Sequence, residues 1–305
     1  MSTIITHRQF PHYHKYTMDL AGRPLTLEVG KLAELANAAV MVGYGDTRVL
    51  VCATASARPR DGIDFFPLSV DFEEKMYAVG RIPGGYLKRE AKPSDHGTLV
   101  ARMVDRPIRP GFPDGYKNEV HIVATPFVID GENLPDTICV AGASAALLVG
   151  GAPFDGPAAC VRIGRDIETG EFIVNPTVSE QENSDLELTI AGTADYISMV
   201  EAGAAEISEE DMLAAMTFGQ EAIAAFCEAQ QRFLDRANIE PVEWPVHVAD
   251  PAIAEIEPTA GVFTAEEIPD DLPPGTTVEF RPRPDDAALT TATALLQTAR
   301  RYGSY

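Results

Sequence analysis

The chain has 305 residues, 45% of them apolar, and carries a formal charge of −22 at pH 7. That length is enough for one large domain or two small ones with a full hydrophobic core. No window approaches the roughly 18 uninterrupted apolar residues of a membrane helix. Taken alone, the charge argues against a polyanionic partner, because like charges repel.

In chain order, residues 1–14 lack the basic and apolar regions of a signal peptide, so a cytoplasmic address is expected. Residues 17–56 read as antiparallel strands, with tight turns expected at Gly22-Arg23 and Gly45-Asp46. Leu68–Lys75 is a further strand. Gly80 to Ala91, with three glycines, a proline and four charges, reads as a loop. Ser94 suits the N-cap of a helix starting near Asp95. Leu99, Val100, Met103 and Val104 give that helix an apolar stripe, and Pro107 and Pro110 are expected to end it. Val120–Ile129 is a strand. Asp136–Val149, apolar and rich in small residues, reads as a buried helix between sheet layers. Strands follow at Pro157–Ile163, Glu171–Val174, Leu186–Ala191 and Tyr196–Val200. A long amphipathic helix then spans Ile207–Ala237, capped by Ser208 with acids in its first turn. This order predicts a mixed α/β (α+β) domain over residues 1–237. Residues 238–305 read as a segment of their own: 238–288 hold nine prolines and many acids, as a linker does, and Ala287–Arg301 can form one helix.

The charge is unevenly placed. Between Arg81 and Arg109 stand seven basic side chains (Arg81, Lys88, Arg89, Lys92, Arg102, Arg106 and Arg109) against three acids, Glu90, Asp95 and Asp105. That stretch is +4, which leaves −26 for the remainder of a −22 chain. A basic island in an acidic chain is a local anion site. Arg102 and Arg106 lie four apart, on one helix face, and guanidinium forks match phosphate oxygens. An equally open reading is a salt-bridged structural helix, with Asp105 paired to Arg102 or Arg109. Cys52, Cys139 and Cys160 sit in apolar runs and read as small buried hydrophobes; no CxxC pair is present. His12 and His14 read as solvated or turn residues before metal ligands, and His96 is placed to cap the basic helix. Ser144 lacks a GxSxG elbow and reads as helix packing. Nucleotide fingerprints (GxGxxG after a strand, or GxxxxGK[ST]) are absent.

GRIPGGYLKRE (Gly80–Glu90) followed by TLVARMVDRPIRP (Thr98–Pro110) resembles the first core domain of the bacterial polynucleotide phosphorylases. GDTRVLVCATAS (Gly45–Ser56), DFFPLSVDFEEKMYAVG (Asp64–Gly80) and AGASAALLVGGAPFDGP (Ala141–Pro157) stand in that family's order and spacing, so the likeness covers about residues 17–237. It implies an RNase PH core, related to ribosomal protein S5 domain 2, followed here by part of a helical spacer. It also implies a phosphorolytic 3′→5′ exoribonuclease of mRNA degradation, which converts single-stranded RNA and inorganic phosphate reversibly to nucleoside diphosphates. Intact members are homotrimers that thread RNA through a central channel, use Mg²⁺, and can join RNA-degradation complexes.

The resemblance further implies that this segment builds the channel and ring interface, while a second core, absent here, does the chemistry. A non-catalytic RNA-binding scaffold of the same fold is the alternative. In the family an aromatic-aromatic-basic-basic element faces the channel; here it is Tyr86-Leu87-Lys88-Arg89. An aromatic ring stacks on any base and cations hold phosphates, without regard to sequence. The expected RNA-binding set is Arg81, Tyr86, Lys88, Arg89, Arg102, Arg106 and Arg109. Where catalytic cores of this type cradle phosphate, the likeness places Leu134-Pro135-Asp136, a proline without an N–H and a repelling acid. Where they carry two aspartates and a lysine, it places Gln181, Glu187 and Thr189. Neither catalysis nor a Mg²⁺ site is therefore expected in this segment.

Overall fold

A computed structural model describes residues 10–237 except 11, 60–62, 64 and 91. The chain divides into two compact units, Met1–Ala249 and Asp250–Tyr305, and the described residues all lie in the first. The expected linker and spacer helix, and His7, fall outside them.

Four strands open the chain: β1 (His14–Leu20), β2 (Arg23–Val29), β3 (Ala38–Tyr44) and β4 (Thr47–Pro59). Each pairs antiparallel with the next, and their buried residues alternate as one covered sheet face requires, for example Val40, Val42, Val49 and Val51. The first turn lies one residue earlier than expected. Ala21 and Gly22 both have positive φ (51° and 77°), which gives the primed hairpin geometry that matches strand twist, so Arg23 opens β2 instead. The sheet continues through β5 (Leu68–Phe72) and β6 (Asn118–Val128), in the order β1-β2-β3-β4-β6-β5, with only the β5–β6 pair parallel.

The parallel pair needs a crossover, and α1 (Asp95–Ile108) lies within it. Ser94 caps this helix, its Oγ accepting from the Gly97 N–H at 3.0 Å. Two expectations fail here. Leu99 is 64% exposed, because the buried stripe is Val100, Met103, Val104, Pro107 and Ile108 and leaves Leu99 on the Arg102 face. Pro107 lies inside the last turn instead of ending the helix, since burying Pro107 and Ile108 outweighs one lost backbone hydrogen bond.

A second sheet, β10-β9-β7-β8, is antiparallel throughout: β7 (Ala159–Asp166), β8 (Phe172–Val174), β9 (Ser184–Gly192) and β10 (Ile197–Ala204). Helix α2 (Asp136–Val149) runs between the two sheets, buried from Asp136 to Leu147. A Cβ on Gly142 would come within 2.6 Å of Val51 Cγ2 and 2.8 Å of Val42 Cγ2, so glycine lets α2 lie flush on the first sheet. Ser144 does serve packing, its Oγ accepting from the Ala158 N–H at 2.9 Å. A short helix, α3 (Val178–Gln181), was not foreseen and carries a capping box between Thr177 and Glu180. Helix α4 (Glu209–Ala237) covers the opposite face of the second sheet, with Gly219 against Ile163 and Ile190. Cys139, Cys160 and Cys227 are free and buried, and burial pushes all three thiols up, so they act as small hydrophobes. No helix among the described residues is long and apolar enough to cross a membrane.

Candidate nucleic-acid interface

The basic island occupies two adjoining structures, a loop and a helix. A 3-10 turn at Met76–Val79 ends on Gly80, at φ 68°, and hands the chain to the loop. Arg81 N–H donates to Met76 O at 2.9 Å, and the Met76 N–H donates to the Glu90 carboxylate at 3.2 Å, so both loop ends are tied to the same turn. Between them the tip projects freely. Tyr86 is 98% exposed, and Arg81, Leu87, Lys88 and Arg89 are exposed as well. Lys88 sits at φ 49° and its N–H closes a turn on Gly85 O at 3.0 Å, which presents Tyr86 and Leu87 at the apex. Among the described residues no ion pair engages Arg81, Lys88, Arg89 or Arg102.

The helix arginines divide differently. Arg102 is exposed on the outer face of α1. Arg106 donates from Nη1 to Glu201 of β10 at 2.5 Å. Arg109 is committed to the fold. It forks onto the Asp105 carboxylate (3.0 and 2.6 Å), donates to the Phe66 and Leu68 carbonyls (3.1 and 3.3 Å), and lies 5.7 Å over the Phe66 ring. The open choice for Asp105 is thereby settled as Arg109. His96 does not cap α1; its Nδ1 lies 3.3 Å from Glu74, whose other oxygen accepts from the Ser94 N–H.

Beneath α1 lies a concavity of about 390 Å³, lined in part by Leu99, Met103, Asp136, Arg162, Glu187 and Glu201. Strand register puts Arg162, Thr189 and Glu201 in one row across β7, β9 and β10. Arg162 is the hub, and sequence reasoning missed it. Its Nη2 pairs with Asp136 at the start of α2, and its Nε lies 3.5 Å from both Thr189 Oγ1 and Glu187 Oε1. The Arg162 and Asp136 side chains are only 12% and 8% exposed. Asp136 Oδ1 accepts from the Thr137 N–H at 2.9 Å, so a carboxylate already occupies the anion-seeking end of α2. The available signal was Arg162 within the otherwise apolar run Ala158–Gly164, since a buried arginine needs a partner.

The same concavity fits a divalent cation poorly. Each nearby carboxylate already faces a guanidinium, Asp136 and Glu187 at Arg162 and Glu201 at Arg106. Among the described residues no group of three His, Cys, Asp or Glu could hold a metal. Gln181 lies apart from the cluster and donates to the Leu186 carbonyl at 3.1 Å.

The model for domain 1 of the 3′ exoribonuclease (RNase PH) family matches residues 21–153, and that for domain 2 matches residues 156–222. The chain belongs to the 3′ exoribonuclease family. The first match takes in most of the six-stranded sheet with α1 and α2, and the second takes in the four-stranded sheet with the start of α4. Among relatives in this family, the polyribonucleotide nucleotidyltransferase of Syntrophomonas wolfei is 48% identical over 239 residues, 78% of this chain and 34% of that protein. The Listeria monocytogenes protein of the same name is 49% identical over 79% of this chain and 33% of its own length. The chain thus spans about a third of the length of the curated relatives it matches. Rice (Oryza sativa) Rrp46 shares the fold, with a TM-score of 0.54 at 15% identity, over 71% of this chain and 96% of that one.

Proposed function

We propose that this chain contains the RNA-gripping, non-catalytic core of a polynucleotide phosphorylase, with residues 1–237 as that core and residues 238–305 as a linker and partial spacer segment. The intact enzyme attacks the 3′-terminal linkage of single-stranded RNA with phosphate, releasing nucleoside diphosphates, in the cytoplasm and in the service of mRNA degradation. Mg²⁺ serves a catalytic core elsewhere in the enzyme. Three copies form a ring, itself open to RNA-degradation partners, and this core lines the channel.

The observation that carries the reading is the loop tip. Tyr86, Lys88 and Arg89 project from a chain that is −26 outside its basic island, and nothing among the described residues neutralises them. A ring to stack on bases beside two free cations is the equipment for gripping a strand without reading it. Arg81 and Arg102 add two further cations that form no ion pair among the described residues. Arg106 reaches phosphate only by leaving Glu201, and Arg109 holds the α1 end in place.

The test is a salt titration of binding to a single-stranded RNA. Replacing Lys88 and Arg89 with Ala should weaken binding at low salt and flatten the plot of log affinity against log salt by about 1.4, about 0.7 for each phosphate no longer neutralised. An unchanged slope would show that the loop touches no phosphate.

A further inference from the structure

The loop that carries the basic tip is closed at its neck by two carboxylates. Met76 holds both sides of it. Its carbonyl accepts from the Arg81 N–H at 2.9 Å, and its own N–H donates to the Glu90 carboxylate at 3.2 Å. Residues 81 and 90 thus meet at one point, as the ends of an Ω-type loop do. The turn that bears Met76 is itself fixed to the first sheet, where the Ile129 N–H donates to Ala78 O at 2.9 Å. Glu74, two residues before Met76, secures the way out of the loop. One of its oxygens accepts from the Ser94 N–H at 3.3 Å, and the other lies 3.3 Å from His96 Nδ1. Gly97 leaves it room, since a Cβ there would come within 3.2 Å of Glu74 Oε2.

Charge makes both acids conspicuous. Glu90 is the one acid between Arg81 and Lys92. A carboxylate among cations that grip phosphate weakens the grip by repulsion. Its bond goes to backbone, at the Met76 N–H. Lys75, on the neighbouring turn, is paired with Glu73 at 2.7 Å. The Glu90 carboxyl is held below the usual carboxylate range first by its own backbone N–H and then by that of Met76, so it stays ionised at neutral pH. Burial pulls the Glu74 carboxyl up, and bonds from the Ser94 hydroxyl, His96 and the Ser94 N–H outweigh it and hold the group down.

We propose that Glu74 and Glu90 are positioning residues of the RNA interface: they pin the neck of the loop, so that Tyr86, Lys88 and Arg89 meet a strand already arranged. The inference rests on the reading of that tip as an RNA grip. Without the pins the strand has to order the tip itself, which lowers affinity. Lys88 and Arg89 remain to neutralise phosphates, so the dependence on salt is kept.

The two properties of Glu90, charge and acceptor, act with opposite sign on binding. Glu90→Gln removes the charge and keeps an oxygen for the Met76 N–H, whereas Glu90→Ala removes both. Binding of the full 305-residue chain to a fluorescently labelled single-stranded RNA, followed by anisotropy, separates them. Glu90→Gln should bind as tightly as the wild type or more tightly. Glu90→Ala should bind about three- to ten-fold more weakly, although it is one charge more positive, with the salt slope unchanged. Glu74→Ala should weaken binding by a similar factor, with Glu74→Gln between it and the wild type. Without RNA, trypsin should cut after Lys88 and Arg89 faster in both Ala variants than in the wild type, as mass spectrometry of the fragments would show. If Glu74→Ala fails to fold, the Glu90 pair of variants carries the same reading from a surface loop. Replacing Lys88 and Arg89 with Ala distinguishes two failures. Should that change flatten the salt slope while Glu90→Ala and Glu90→Gln bind alike, the positioning role alone is overturned. Should it leave the slope as it was, the RNA reading falls and this inference with it.

Discussion

At the scale of single residues, the contrast between Arg109 and Arg162 on one side and Lys88 and Arg89 on the other separates structural from available charge. Removing one partner of a buried ion pair leaves the other uncompensated, at a cost of about 3–5 kcal/mol. Asp136→Ala strands the Arg162 guanidinium, which keeps only the distant Glu187 carboxylate and Thr189 hydroxyl, 3.5 Å away. The expected loss is about 3 kcal/mol, the lower end of that range, because Glu187 is half-exposed and can follow the charge. Arg162→Ala should cost about as much, and the double variant less than the sum of the two. Urea unfolding of the four proteins measures this directly. Additive losses would mean that the pair contributes no coupling.

At the scale of elements, a carboxylate also binds turns together. Asp130, after β6, accepts from the Glu132 and Asn133 N–H groups (2.9 and 2.7 Å), the Asn133 side-chain amide (2.7 Å) and the Asp46 N–H of the β3–β4 turn (3.1 Å). Asn133 in turn accepts from Arg23, which reaches across to the Val174 and Asn175 carbonyls beside the second sheet. Partial burial raises the Asp130 carboxyl, but the four hydrogen bonds outweigh it and hold the group down at about 2. A folded-state value below the unfolded one of 3.8 means stability present above about pH 4 and lost as pH falls through 2. The wild-type protein should therefore lose its advantage over Asp130→Asn between about pH 4 and pH 2. Thermal melts of both proteins across that window measure the difference, and one that stays flat would rule out this role. Much of the architecture around these turns was legible in the sequence. The Asp136–Val149 helix and the Ser94 cap were read correctly because small apolar residues and a capping hydroxyl act locally. Leu99, Pro107 and Arg162 were not, because their places depend on which face a neighbouring element covers, and a single chain does not state that.

At the scale of the whole molecule, charge is segregated: an open basic tip on one element, and guanidinium–carboxylate pairs filling the concavity beneath α1. The tip was legible from composition and from the family likeness, since a cluster of basic residues stands out in a −22 chain. The filled concavity was legible only as a poor phosphate cradle, because the pairing of Asp136 with Arg162 joins residues 26 apart on different elements. Filling has a functional consequence. A phosphate approaching the start of α2 meets the Asp136 carboxylate already bonded to the Thr137 N–H, and the guanidinium that could attract it is neutralised. A divalent ion meets carboxylates that each hold an arginine. Incubated with single-stranded RNA, phosphate and Mg²⁺, this chain should bind RNA in a salt-dependent way and release no nucleoside diphosphate, as thin-layer separation of labelled products would show. Asp136→Ala, which unmasks Arg162, should still release none, because the Glu187 and Glu201 carboxylates that line the concavity still repel phosphate. Sustained release of nucleoside diphosphates by the unaltered chain would make the concavity an active site and reverse the assignment of gripping and chemistry to separate cores.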